Sequence, residues 1–278
     1  MVAPDVSDPD WVTAYLSITL AHIKVDTAEW SNCEMRSDSS ESCVPEQFDV
    51  IGPDVIRALT ANWGGVDGYF ADSFVEEDDA LRAARQSGSR TTMPSAEVSA
   101  SQGAFLGLMA QIAGARRVLE FGTLAGYSTI WLARAVGDTG QVITLELEPS
   151  NAEIALANFS RAGVADRVEV VVGPAGESAQ QMIDLGVPPF DLVFIDADKQ
   201  NNPLYLALSL ELTHSGAVII IDNVVRGGAV VDASSTDPRV QGVRSVVSMI
   251  AANDELSATA LQTVGVKGWD GMILIRCR

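Results

Sequence analysis

Two apolar runs end in residues that could do chemistry together. One closes in Phe194-Ile-Asp196-Ala-Asp198-Lys199, the other in Ile221-Asp222-Asn223. Asp196, Asp222 and the carbonyl of Asn223 offer three oxygen donors and no sulfur or nitrogen. That set suits a hard cation such as Mg²⁺, with positions left open for water or substrate. The competing reading is that each carboxylate caps the helix that follows, as Asp often does. An unpartnered charge at the rim of an apolar strand is costly, which favours the cation for the trio. For Asp198 the two readings stand level.

A second constellation lies upstream in Glu120-Phe-Gly-Thr-Leu-Ala-Gly-Tyr-Ser-Thr. Gly122 and Gly126 permit a tight turn and a close approach of backbone to a ligand. Glu146, twenty residues beyond Gly126, ends the next apolar run, where a carboxylate can accept the ribose hydroxyls of an adenosine cofactor. A pyrophosphate dinucleotide calls for G-x-G-x-x-G. The spacing here is G-x-x-x-G, and Glu120 would repel an anion. A carboxylate facing the pocket suits the cationic amino-acid end of S-adenosylmethionine (SAM). None of Tyr15, Tyr69, Tyr127 or Tyr205 has a lysine four residues on, so a Tyr-x-x-x-Lys reductase is unsupported. A glycine-rich turn with no ligand is the bland alternative.

The elements that must position these residues follow from the spacing. Apolar runs at Val118–Phe121, 141–146, 167–172, 190–196 and 217–222 are the kind that strands buried on both faces show, with helical stretches between them. This alternation predicts an α/β fold with a doubly wound, mostly parallel sheet, whose ligands sit beyond the strands' carboxyl ends. Runs at 258–266 and 271–277, joined through Gly268-Trp-Asp-Gly, predict a closing antiparallel hairpin with Asp-Gly at its turn.

The chain has 278 residues, 47% of them hydrophobic, and a formal net charge of −19. The length is ample for a core. The charge argues against nucleic-acid or anionic-membrane partners, which reward basic surfaces. Three cysteines without a C-x-x-C suggest neither a disulfide framework nor a zinc site. The run from Trp11 to Ile23 is too short to span a bilayer and follows acids rather than bases, so an amphipathic helix is expected, not a signal peptide. Residues 1–53 carry a net charge of −8 and read as an acidic N-terminal extension, partly disordered, holding Cys33 and Cys43. Residues 54–278 read as the functional domain, in a soluble, cytoplasmic protein.

ARRVLEFGTLAGYSTIWLA, VITLELEP, FDLVFIDADK and IIIDNVVRGG, in this order, resemble the cation-dependent class I O-methyltransferases of the catechol and caffeoyl-CoA type. The resemblance runs from about residue 54 to the C-terminus and includes Val98-Ser99-Ala-Ser-Gln102-Gly103. It implies a Rossmann-like fold and a homodimer, with SAM and a divalent cation as cofactors and a small hydroxylated aromatic acceptor. By position, Glu120, Gly122 and Ser128 would hold the amino-acid part of SAM and the loop around it, with Val98 alongside. Glu146 would take the ribose and Ala175 the adenine. Asp196, also at the cofactor, would bind metal with Asp222 and Asn223, and Lys199 would be general base. Two positions depart from the family pattern: Ala96 stands where Met is frequent, and Asp198 where the animal enzymes have an aromatic. Two other activities fit the residues: metal-independent methylation of another oxygen or nitrogen nucleophile, and SAM binding without turnover.

The remaining conspicuous residues have plainer readings. Asn202-Pro203 reads as an N-cap followed by a first-turn proline, and His214 as the end of a helix. Trp131 and Phe105 read as core. Trp269 reads as either a packed turn aromatic or an acceptor contact.

Overall fold

The structure is a computed structural model describing residues 53–278. The extension expected over 1–53, with its Trp11–Ile23 helix and two cysteines, lies outside the described residues, save for Pro53. That proline opens helix α1, Pro53–Phe74. Helix α2, Asp79–Ser87, starts where Asp78 accepts the Leu81 amide. Helix α3, Ala100–Ile112, starts at a capping box in which Ser99 and Gln102 satisfy each other's backbone amides.

The alternating pattern then sets in. Strand β1 is Arg117–Phe121, followed by α4 (Tyr127–Ala135), β2 (Gln141–Glu146), α5 (Pro149–Ala162) and β3 (Val168–Val172). Next come α6 (Ala175–Asp184), β4 (Phe190–Ile195), α7 (Asn202–Glu211), β5 (Thr213–Asp222) and α8 (Pro238–Ala251). Strands β6, Leu256–Gly265, and β7, Gly268–Cys277, close the chain. The sheet order is β3-β2-β1-β4-β5-β7-β6. β1 to β5 run parallel, and β7 pairs antiparallel with β5 and β6. The order reverses between β1 and β4, so the switch point lies where the sheet expectation requires a ligand crevice.

Alternation along each strand divides the core between two faces. Leu119, Val193, Ile195, Ile219 and Ile221 pack with the α6, α7 and α8 side. Val118, Leu192, Phe194 and Ile220 pack with α2 to α5. Trp131 and Phe105 are half-buried against this second core, as expected.

Three local expectations are corrected. The hairpin turn is Val266-Lys267, between the paired Gly265 and Gly268, rather than Asp270-Gly271. Asp270 lies within β7 because its carboxylate has other work: Oδ1 accepts the Val225 and Arg226 amides at 3.0 and 3.1 Å. Trp269 is likewise on β7; it packs against Gly228 and donates to Gln262. His214 is not at a helix end but inside β5, with Nε2 2.9 Å from Asp191 Oδ1. That bond raises its pKa.

Helix α8 meets the turn that carries Lys199 at Gly242. A Cβ there would stand 2.2 Å from the Lys199 carbonyl oxygen and 2.7 Å from the Gln200 Cα. Both are backbone atoms, so relief requires moving the turn. Gly242→Ala is expected to destabilise the domain by about 1–3 kcal/mol, the range for overpacking. The midpoint of urea unfolding checks it, and an unchanged midpoint would refute the contact.

Candidate functional site

Glu146 ends β2 almost fully buried. Its Oε2 accepts the backbone amides of Thr123 and Leu124 at 3.2 and 2.8 Å. Its Oε1 accepts the Glu148 amide at 3.0 Å and the Asn151 side-chain amide at 3.1 Å. A carboxylate has about four acceptor sites, and here the chain's own donors fill them. The carboxylate thereby holds the β1–α4 turn and the entry of α5. Asn151 passes the restraint on, because its Oδ1 accepts the Thr92 amide and its Nδ2 reaches the Thr92 hydroxyl, both at 3.0 Å. This clasp had no sequence motif to announce it.

In the turn, Gly122 has φ 100 and Gly126 φ 80, a region L side chains rarely adopt. The room they leave is used by the chain itself. A Cβ on Gly122 would stand 2.7 Å from the Asp196 carbonyl oxygen, and one on Gly126 2.3 Å from the Phe159 ring. The turn is thus pressed against the end of β4, with Asp196 N donating to Phe121 O at 2.9 Å.

Glu120 does not face the cleft, as its sequence position suggested. Strand alternation points it with Val118 toward α4, where it is fully buried. Three hydroxyls surround it: Ser128 at 2.6 Å, Thr144 at 2.7 Å and Thr129. Burial raises its pKa to about 7 against the lowering effect of those three bonds, and the Asp196 charge adds to the rise. Ser128, held by Glu120, lines a small cavity of about 20 Å³ with Val98, Gly122 and Asp196. Val98 is fixed from behind, since Arg85 donates to its carbonyl at 3.3 Å, pairs with Glu77 at 2.7 Å and lies 4.2 Å over the Tyr127 ring.

The large cleft adjoining this cavity has a volume of about 1050 Å³. Glu146, Ala175 and Ala96 line it, as do Asp196, Asp198, Lys199 and Asn223. Lys199 is buried and its Nζ lies 2.6 Å from Asp196 Oδ1. Asp198 is turned to Tyr205 and Asn201, whose hydroxyl and amide both donate to it. Asn202, expected as an N-cap, is instead the first residue of α7 and is buried with no partner for its amide among the described residues.

Asp222 is almost fully buried, and its Oδ1 has no hydrogen-bond partner among the described residues. Burial raises its pKa, and the charge of Asp196 raises it further, against a lowering influence from Lys199. Asn223, next along, has φ 58, a strained setting for a side chain other than glycine. No group of three His, Cys, Asp or Glu side chains placed to hold a metal ion occurs among the described residues. The donor set at this corner is two carboxylates and an amide. An orphaned buried carboxylate oxygen beside a second carboxylate fits a hard cation: positive charge placed there would satisfy the one and neutralise the repulsion between both.

With this geometry in place, the relatives are informative. The chain matches the O-methyltransferase family over residues 71–278. A catechol O-methyltransferase of Mycobacterium tuberculosis is 50% identical over 213 residues, which cover 77% of this chain and 95% of that protein. One from Niastella koreensis is 47% identical over 209 residues, covering 75% and 95%. The O-methyltransferase from Bacillus cereus in complex with SAH superposes with a TM-score of 0.77 at 50% identity, covering 79% of this chain and 100% of that one. TomG from Streptomyces achromogenes, in complex with SAM, gives 0.77 at 45% identity, covering 78% and 98%. The chain belongs to the O-methyltransferase family, with its Rossmann-like fold, and is a SAM-dependent O-methyltransferase. No described helix is long and apolar enough to cross a membrane.

Two predictions follow from these contacts. Asn151→Ala removes the clasp between α5 and the Thr92 backbone and is expected to destabilise the domain by about 1–3 kcal/mol, the cost of leaving buried hydrogen-bonding groups unpaired, as the midpoint of urea unfolding would read. The second concerns pH. Glu120 and Asp222 hold protons more tightly folded than unfolded, so the unfolded chain binds fewer protons between their ordinary range and neutrality. Stability contributed by these groups is therefore lost as pH rises from about 4.5 to 7. The melting temperature of metal-free protein should fall over that interval, and less steeply in Glu120→Gln. An equal slope in both proteins would rule out the Glu120 contribution.

Proposed function

We propose that the enzyme transfers the SAM methyl to one hydroxyl of a small catechol-like acceptor, assisted by a divalent cation held by Asp196, Asp222 and Asn223. The observation that carries the reading is the orphaned, buried Oδ1 of Asp222 beside the Asp196 carboxylate. The names of the two catechol O-methyltransferase relatives support the acceptor class. The expected setting is a cytoplasmic homodimer whose functional domain begins at about residue 54.

An unperturbed phenol has a pKa of about 10, so ionising it at pH 7 costs roughly 4 kcal/mol. A divalent cation held by Asp196, Asp222 and Asn223 would supply Lewis-acid stabilisation of the phenolate. The chain's residues do the rest. Lys199 Nζ lies 2.6 Å from Asp196 Oδ1; a cation bound at Asp196 would compete for that carboxylate and favour the neutral amine, the form that can take the hydroxyl proton. Gly122 and the turn it opens, Ser128 and Val98 take the amino-acid end of SAM. Glu120 acts through Ser128, whose hydroxyl it orients. Glu146 takes the ribose, and Asn151 is the one of its four donors on a rotatable side chain, the one a ribose hydroxyl can displace. Ala175, at the start of α6, offers backbone to the adenine. Holding nucleophile and methyl group in line contributes several kcal/mol more, by proximity.

Methyl transfer to a panel of vicinal diphenols, run with Mg²⁺ and again with excess EDTA, tests the reading. Turnover abolished by EDTA is expected; turnover indifferent to EDTA would overturn the metal assignment. Asp222→Ala should abolish turnover and leave SAM affinity within a few-fold, whereas loss of both would make the residue structural. Lys199→Met should lower kcat by about 10²-fold or more, the scale of general-base catalysis, with the SAM dissociation constant little changed.

A further inference from the structure

Arg226 lies three residues beyond Asn223 and lines the same cleft as Asn223 and Lys199. Its backbone has φ 56, uncommon for a residue with a side chain, and so must be held by its surroundings. Asp270 does this: its Oδ1 accepts the amides of Val225, Arg226 and Gly271 at 3.0, 3.1 and 3.0 Å. The backbone is therefore fixed from β7 while the guanidinium is left loosely tied. Its ion-pair partner among the described residues is Asp270 Oδ2 at 3.8 Å, beyond hydrogen-bond distance. Its side chain is 22% exposed.

Arg239, the other arginine of the cleft, differs. It gives Asp237 three side-chain hydrogen bonds, at 3.0, 3.2 and 2.7 Å, and so has few donors to spare. Methyl transfer itself needs no cation at Arg226. A rigidly based guanidinium with free N–H groups is the side chain best shaped to take a carboxylate in a two-pronged grip. It also answers an electrostatic difficulty, because a chain of net charge −19 repels an anionic molecule unless the site supplies local positive charge.

We propose that Arg226 is a specificity-determining residue that binds an anionic substituent on the acceptor, so that dihydroxyaromatic carboxylic acids are the preferred substrates. The proposal rests on the catechol-type reading above and narrows it. A neutral diphenol would gain nothing from the guanidinium, and an ammonium-bearing one would be disfavoured.

The test compares 3,4-dihydroxybenzoate with 4-methylcatechol, using the full chain with SAM and Mg²⁺. In the unmodified enzyme kcat/KM should favour the acid about tenfold or more, the scale of a hydrogen bond to a charged group. In Arg226→Gln that ratio should collapse toward one, and Arg226→Lys should restore part of it. A wild-type enzyme without preference for the acid, or a ratio unchanged by Arg226→Gln, would overturn the proposal while leaving the reaction class intact. Calorimetric binding of both compounds to the SAH-loaded protein is the second measurement. If no diphenol is methylated, the acceptor reading fails, yet tighter binding of the acid that Arg226→Gln abolishes still supports the arginine site. Equal binding of both compounds would refute it.

Discussion

The site depends on one buried carboxylate and the four N–H groups around it. Glu146 joins the turn after β1, the entry of α5 and, through Asn151, the backbone at Thr92. These segments are far apart in sequence, and one anion is what lets them share a corner. An amide in its place would present a single acceptor oxygen and leave at least two donors buried without partners. The cofactor cleft is therefore shaped by a charge that the fold has already neutralised with its own dipoles.

Two other buried acids meet the same physical problem differently. Glu120 is wrapped by three hydroxyls, which can donate to it when charged and can also accept from it when protonated. Asp222 has no such wrapping at Oδ1. Of the three, it alone leaves an oxygen to be satisfied from outside the chain. Its neighbour Asp196 is partly compensated by Lys199. The gradient from fully satisfied to unsatisfied carboxylates runs from β2 through β1 and β4 to β5, along the rim of the sheet.

The strands, their mostly parallel arrangement and the acidic strand ends were legible in the sequence, because buried parallel strands leave unbroken apolar runs whose last residue marks the ligand rim. Which way a rim side chain points was less legible. Glu120 sits one residue before the last of β1, and strand alternation sends it under α4, not toward the cleft. Asp270-Gly271 had the composition of a turn, yet β7 runs straight through it, since the carboxylate is needed by the amides of Val225 and Arg226. Asn151 had no local signature, and within IIIDNVVRGG nothing singled out Arg226. Their meaning comes from partners 59 and 44 residues away. Residues whose role is to join distant segments carry their information in the pairing, and a single sequence does not display pairs.

The contact between Gly242 and the Lys199 turn sets a boundary on how this enzyme can diversify. Lys199 is braced from behind by a helix that follows the exposed stretch around Asp232 and Ser234, while Arg226 and its two glycines precede that stretch. Length and composition there can change without disturbing the brace, provided α8 still arrives with a residue lacking a side chain at the crossing. The acceptor side thus has a tunable margin next to a sterically fixed fulcrum. A lineage acquiring new acceptors would be expected to vary the first and keep the second.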